Sequence, residues 1–249
     1  MKNVLISAIV VAAGAATGYA VDLPANPGPA NNGGSPNWAM FFDLEAVAGP
    51  VTVTHMTTAN TGGIGAAFSV EVFVRTGTAL GGPVAAGPGS STLGWTSIGI
   101  APATQGATAG GVSLSIDIPD ITVVPGGIVG VAVKFTTVGP RYFGTGTPPL
   151  SVYSDANLKL TTGEGRSAPF TPTGSFFTSR ALVGGLTYTV GGAPCYADCD
   201  QIGGLTGNDF QCFLNAFVSS ASYADCDGVG GLTGNDFQCF LDKFVAGCS

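Results

Sequence analysis

A chain of 249 residues with 45% hydrophobic and only 9% charged residues is long enough for one or two folded domains. Its net charge of −7 and scarcity of cations exclude a nucleic-acid surface and disfavour docking on anionic membranes. Forty glycines do not make it a low-complexity chain, because Val, Ile, Leu and Phe recur in alternating runs.

The opening MKNVLISAIVVAAGAATGYA has one Lys, an apolar run and a small-residue site at Gly18-Tyr19-Ala20. This predicts a secretory signal over 1–20, cleaved after Ala20. The run is too short and too rich in Ala and Gly for a membrane anchor. Residues 21–37 are rich in Pro, Gly and Asn and are expected as a flexible leader.

Residues 38–190 predict a mainly β domain. Phe68, Val70, Val72 and Val74 alternate with more polar neighbours, as do Val112, Leu114, Ile116 and Ile118, and Val129, Val131, Val133 and Phe135. Period-two alternation of this kind marks half-buried strands. Weaker candidates are 38–47, 51–57, 95–100, 157–161 and 181–190. Turns are signalled at Gly49-Pro50, Gly62-Gly63, Gly81 to Pro88, Pro125 to Gly127 and Gly139-Pro140. About eight strands with no helix between them predict an antiparallel β-sandwich, jelly-roll-like, with enough chain for its own core.

Catalytic residues are not evident in this domain. His55 is the single histidine and no Cys lies outside the tail, so no Ser-His-Asp or Cys-His triad has obvious members. Glycoside hydrolysis needs only two carboxylates, and Asp43/Glu45, Glu71, Asp117/Asp120 and Asp155 are available. Asp43 and Glu45 share one strand face, but surface solvation accounts for these acids without a motif. Segment 160–166, LTTGEGR, lacks P-loop spacing. A glycan would stack on exposed aromatics, for which Trp38, Trp95, Tyr142, Phe143 and Tyr153 are candidates, Trp95 and Tyr142 foremost, with core burial the alternative for each.

A brief GGAP linker (191–194) leads to a duplicated tail over 195–249. Residues 196–217, YADCDQIGGLTGNDFQCFLNAF, recur 27 positions later as YADCDGVGGLTGNDFQCFLDKF. The tail holds seven Asp against one Lys and all six cysteines: Cys195, Cys199, Cys212, Cys226, Cys239 and Cys248. Acidity concentrated in a repeat points to cation ligation. An even cysteine count in an exported module points to disulfides. The repeat suggests 199–212, 226–239 and a terminal clasp 195–248, which would stabilise the module by about 4 kcal/mol. A cross-repeat pairing is equally symmetric. Zinc would need about four converging Cys or His ligands, a poor match to this spacing.

Each copy follows the arithmetic of an EF-hand loop without its entering helix. Counted from Asp198, positions one, three and twelve are Asp198, Asp200 and Asp209. Position six is Gly203, position seven offers the Gly204 carbonyl, and position nine is Thr206. The second copy supplies Asp225, Asp227, Gly231, Thr233 and Asp236 in the same roles. Oxygen donors on a flexible loop suit calcium. Position five is Ile202 or Val229 and offers no side-chain oxygen, so the expectation is either weak binding, at roughly 10⁻⁴–10⁻³ M, or a loop that has lost its metal and relies on its disulfide. After each loop Phe210, Phe213, Leu214 and Phe217, or Phe237, Phe240, Leu241 and Phe244, fall on one helix face and predict two helices packed face to face.

The paired ADCD…GLTGNDFQCFL segments and the closing AGC resemble the dockerins, specifically the cysteine-containing kind of secreted bacterial proteins. The resemblance implies two calcium-binding repeats that dock their carrier on a cohesin-like receptor or a cell-surface scaffold. It implies partner contacts at loop positions ten and eleven, here Gly207-Asn208 and Gly234-Asn235. The β domain is similar to extracellular β-sandwich modules of unassigned function. The expectation is a secreted, noncatalytic protein whose sandwich binds glycan or serves a structural role. A polysaccharide hydrolase delivered by the same tail is the alternative.

Overall fold

In the computed structural model, residues 20–147, 149–190, 196–200 and 205–247 are described. The expected signal residues 1–19, the linker 191–194, Cys195, Cys248, Ile202, Gly203 and Gly204 lie outside them. The first strands are β1 (Ala20–Ala25), β2 (Asn32–Gly33), β3 (Ala39–Ala46), β4 (Val51–Thr58) and β5 (Ala67–Thr76). Next come β6 (Thr96–Thr104), β7 (Ile116–Val123), β8 (Val129–Phe135), β9 (Arg141–Gly144) and β10 (Ser151–Ser154). They are followed by β11 (Leu158–Arg166), β12 (Phe176–Thr178), β13 (Arg180–Leu182) and β14 (Gly184–Val190). The tail holds helices α1 (Gly207–Val218) and α2 (Gly234–Ala246).

Strand pairing among these elements is antiparallel, and the protein is mainly β with a sandwich-like arrangement. One sheet runs β1-β14-β4-β7; the larger runs β10-β11-β3-β8-β5-β6, with β12 beside β11; a small third sheet runs β13-β9-β2. Alternation explains the core. Met40, Phe42 and Leu44 of β3, Val70 and Val72 of β5 and Val131 and Val133 of β8 meet Val51, Val53, Ile116, Ile121 and Leu186 from the facing sheet.

The other face of β3 is buried too. Ala39 and Phe41 pack with Ala79, Ala132, Phe73, Trp95 and Phe170, so loops cover the outside of the larger sheet. That is why β3 reads as the near-continuous apolar run AMFFDLEA. Asp43 belongs to this covered face and is 6% exposed, which corrects its reading as a solvated carboxylate. It accepts from the Thr78 hydroxyl at 2.5 Å and from the Ala79 amide at 2.6 Å.

A bulge brings two more charges to the same place. Leu158 and Leu160 of β11 face the core, but the register shifts between Thr162 and Glu164, and Gly163 has φ 146°. One extra residue moves every later side chain to the opposite face. Glu164 and Arg166 therefore point outward, as cross-strand partners of Phe41 and Ala39. Glu164 accepts from the Gly81 amide at 2.8 Å. Arg166 is 1% exposed and donates to the carbonyls of Gly81, Val84 and Ala86, each at 3.0 Å. Three buried ionic side chains thus clamp the 77–90 loop to the sheet.

Other expectations shift. The supposed leader is not wholly irregular: residues 20–25 form β1 along β14, and Asn32–Gly33 pairs with β9. The strand expected at 112–118 starts later, at Ile116. Val112 and Ser113 instead make isolated bridges to Ala59 and Gln105, where the chain crosses between sheets. The 181–190 run is split between β13 and β14, which belong to different sheets.

Candidate metal centre and a two-fold tail

The tail repeats are related residue by residue. Phe213 and Phe240 stack at 4.0 Å with their planes 12° apart, and both are fully buried with Ala197 and Ala224. Tyr196 and Tyr223 stack at 4.8 Å, and each hydroxyl donates to the other's backbone carbonyl. Burial, then Asp236 and Asp225, push the Tyr196 hydroxyl up to about 12, so it stays a donor at neutral pH. Disulfides Cys199–Cys212 and Cys226–Cys239 tie each loop to its own helix, as the repeat suggested.

Each helix starts with a capping box that the sequence reading passed over. Thr206 and Thr233 are N-caps, accepting from the Asn208 and Asn235 amides at 3.2 Å. Asp209 and Asp236, three residues on, accept from the same threonines' amides at 2.7 Å and hydroxyls at 3.1 Å. The signal was T-G-N-D, the Ser/Thr-x-x-acid pattern that satisfies orphan helix amides. Both threonine hydroxyls, expected as cation ligands, are thus engaged in the caps.

The three acids of each loop converge. Asp198, Asp200 and Asp209 form one trio and Asp225, Asp227 and Asp236 the other, one oxygen of each lying within 4.8 Å of the others. Asp209 also accepts from the Asp200 amide at 3.1 Å, and Asp236 from the Asp227 amide at 3.2 Å. Burial pushes the Asp209 carboxyl up, but the Thr206 and Asp200 amides outweigh it and hold it below the usual range. For Asp236 the Thr233 amide is the largest influence, and its pKa is also lowered. Both acids are therefore ionised at neutral pH.

The donor set fits a hard cation. It is all oxygen, and Asp225 Oδ1 is buried without a hydrogen-bond partner among the described residues. Such an oxygen carries a desolvation cost that a cation would offset. The fit is incomplete at position five. The Val229 amide donates to Asp227 Oδ1 at 2.9 Å while its side chain is 69% exposed. Gly231, expected to offer its carbonyl, turns the chain with φ 74°. Gly207-Asn208 and Gly234-Asn235 are exposed at the first turn of α1 and α2.

The glycan candidates do not come together. Tyr142 is 2% exposed, with its hydroxyl 3.4 Å from the Gly33 carbonyl, so it is a core residue and not a stacking platform. Trp95 is half-buried against Phe41 and Phe170, donates to the Pro88 carbonyl at 2.9 Å and lies under Arg75. His55 sits beside Thr54 at 2.9 Å and Asp117 at 3.9 Å on the partly exposed face of the interior strand β4. Glu45 and Glu71 pair with Lys159 and Lys134.

Asp43 and Glu164 of the sandwich shift in the opposite sense to Asp209 and Asp236 of the tail, whereas burial of Asp155, also in the sandwich, is outweighed by the Leu158 and Asn157 amides and the Tyr188 hydroxyl, which lower it like the tail acids. Burial raises the Asp43 and Glu164 carboxyls above their ordinary values. Their stabilising contribution is full below the unfolded-state values near 4 and is lost as pH rises through the raised folded-state values. Asp209 and Asp236 are lowered, so theirs is present above about 4 and lost as pH falls through their folded-state values. On acidification the metal-free protein is expected to lose its tail, which has two lowered acids in a small core, before its larger sandwich, which loses only the Asp155 contribution among the shifted acids. Trp38 and Trp95, the only tryptophans, report the sandwich by fluorescence, and the amide resonances of 205–247 report the tail. Loss of both signals at one pH would refute the assignment.

Comparisons with known proteins add little. No family model and no curated protein matches the chain. Among solved structures, it is similar to the VP2 subviral particle of infectious bursal disease virus at 8% identity and a TM-score of 0.23. The match covers 99% of this chain and 59% of that one, so the chain spans less than two thirds of it. A similarity this slight carries no argument. The disulfides Cys199–Cys212 and Cys226–Cys239 are compatible with an extracellular protein; among the described residues no helix is long and apolar enough to cross a membrane.

Proposed function

We propose that this is a secreted, noncatalytic protein whose tail binds calcium at two loops and docks, dockerin-like, on a cohesin-like receptor or cell-surface scaffold. The observation that carries the reading is the duplicated acidic trio at a capped helix start. Two equivalent loops, held by Cys199–Cys212 and Cys226–Cys239 around one phenylalanine stack, would present Gly207-Asn208 and Gly234-Asn235 in related positions. Bound calcium would neutralise each trio and brace the first helical turn. The sandwich is then the carried part.

The alternative, a polysaccharide hydrolase delivered by the same tail, requires two carboxylates flanking an open cleft. The buried carboxylates Asp43 and Glu164 are occupied by amides of the 77–90 loop instead. This favours the noncatalytic reading.

Calorimetric titration of calcium into the oxidised full chain should give saturable heat with a dissociation constant of roughly 10⁻⁴–10⁻³ M. The Asp198→Ala/Asp225→Ala variant should give none. Equal heat in both proteins, or none in the parent, would sink the calcium assignment. Calcium-dependent capture of a cohesin domain then tests the docking half.

A further inference from the structure

At one end of the sandwich a groove of about 760 Å³ opens between the 26–30 segment and the 108–112 loop. It adjoins Ala25 and Gly184, the paired ends of β1 and β14, whereas Val190 closes the far end of β14. Arg141 is the only charged residue lining it. Its Nη2 donates to the Ala30 carbonyl at 3.2 Å. Among the described residues its buried Nε has no hydrogen-bond partner and no acid lies within ion-pair distance of it. Arg180 Nε is also buried and unpartnered among the described residues, but its guanidinium lies over the Tyr142 and Phe177 rings. Burying such a donor costs free energy unless something accepts from it.

The walls are built around that side chain. A Cβ on Gly110 would lie 2.7 Å from Arg141 Nη1, so only glycine lets the guanidinium lie against this loop. The loop is pinned from behind: Gln105 Nε2 donates to the Thr108 and Gly111 carbonyls at 2.6 and 3.0 Å, and the Gly110 amide donates to Gly62 at 3.1 Å. Gln105 is itself buried and bonded to Asn60. The groove is therefore preorganised, with apolar flanks at Pro27 and Val112 and polar groups at Asn26 and Thr108.

We propose that this groove binds a small sugar acid, with its carboxylate on the Arg141 guanidinium and its hydroxyls toward Asn26 and Thr108. A planar fork of donors matches a carboxylate. A single cation suits one negative charge better than a doubly charged phosphate. The volume lies within the range that small ligands occupy. The site stands on the groove's own residues and does not depend on the tail.

The test records arginine Nε–H resonances of the full chain during titration with galacturonate, galactose or acetate. An Arg141→Lys variant identifies the Arg141 signal by its loss. Galacturonate should shift that signal saturably, galactose should leave it in place, and acetate should act only at much higher concentration. Arg141→Lys keeps the charge but loses the fork, so galacturonate affinity should fall about tenfold. Equal shifts from galactose and galacturonate would overturn the role of the carboxylate. Equal potency of acetate would overturn the sugar acid. An unmoved Arg141 signal in the parent protein would overturn the site whether or not the variant folds.

Discussion

Truncating one ring of the Phe213–Phe240 pair should unfold the tail of the full chain and leave the sandwich intact. The two rings stack at 4.0 Å and are fully buried at the centre of a cluster whose other buried members, among the described residues, are Ala197 and Ala224. Phe→Ala in a core costs about 3–5 kcal/mol. A single core in a module this small rarely supplies more than about 3–5 kcal/mol, so the loss is comparable to all the core provides. The remaining stability comes from the two disulfides, each closing a 13-residue separation, at about 3 kcal/mol apiece in the chain-entropy model. Phe240→Ala should therefore be partly structured when oxidised and unfolded when reduced. Amide dispersion over 205–247 and proteolysis measure this. A reduced variant that keeps native tail dispersion would show that the stack is not the centre of the fold. Phe217 and Phe244, at the rim of the same cluster, should tolerate Ala better.

How much of this was legible depends on the range of the interaction. The tail was legible because its determinants are local and occur twice. The cysteine spacing, the acidic loop positions and the 3.6-residue Phe pattern all act within a few turns of chain. In the sandwich, β5 and β8 were legible because one face of each meets the facing sheet and alternation survives. Strands β2, β9 and β12 were not, because each is too short to show alternation and is specified by its partner, as Asn32–Gly33 is by Arg141 and Tyr142. The same partnering made Tyr142 a core residue although its local sequence, after a Gly-Pro turn, reads as surface. Asp43, Glu164 and Arg166 were illegible for a further reason. The bulge at Gly163 decides which face the last two occupy, and composition at 160–166 does not reveal a bulge.

That clamp gives the largest expected effect in the sandwich. Arg166→Ala should destabilise it by about 3–5 kcal/mol, the usual result of removing one partner from a buried ionic arrangement. Three carbonyls, of Gly81, Val84 and Ala86, would lose their donor together, and Glu164 would lose its nearby positive charge. The guanidinium also lies 4.7 Å over the Phe176 ring, so β12 would loosen with the loop. For a domain of this size the cost corresponds to a fall in Tm of about 10 °C. Arg166→Lys should recover only part of it, because one ammonium cannot span three carbonyls as the fork does. Gly89→Ala probes the same seat from the loop side, since its Cβ would lie 2.5 Å from Arg166 Nε. Tryptophan fluorescence is a direct readout, because Trp95 donates to Pro88 on this loop. Cleavage by protease within 77–90 should accelerate in Arg166→Ala and in Gly89→Ala. An Arg166→Ala protein with unchanged Tm and a protected loop would mean that the covering aromatic cluster of Phe41, Phe73, Trp95 and Phe170 holds the loop without the charges.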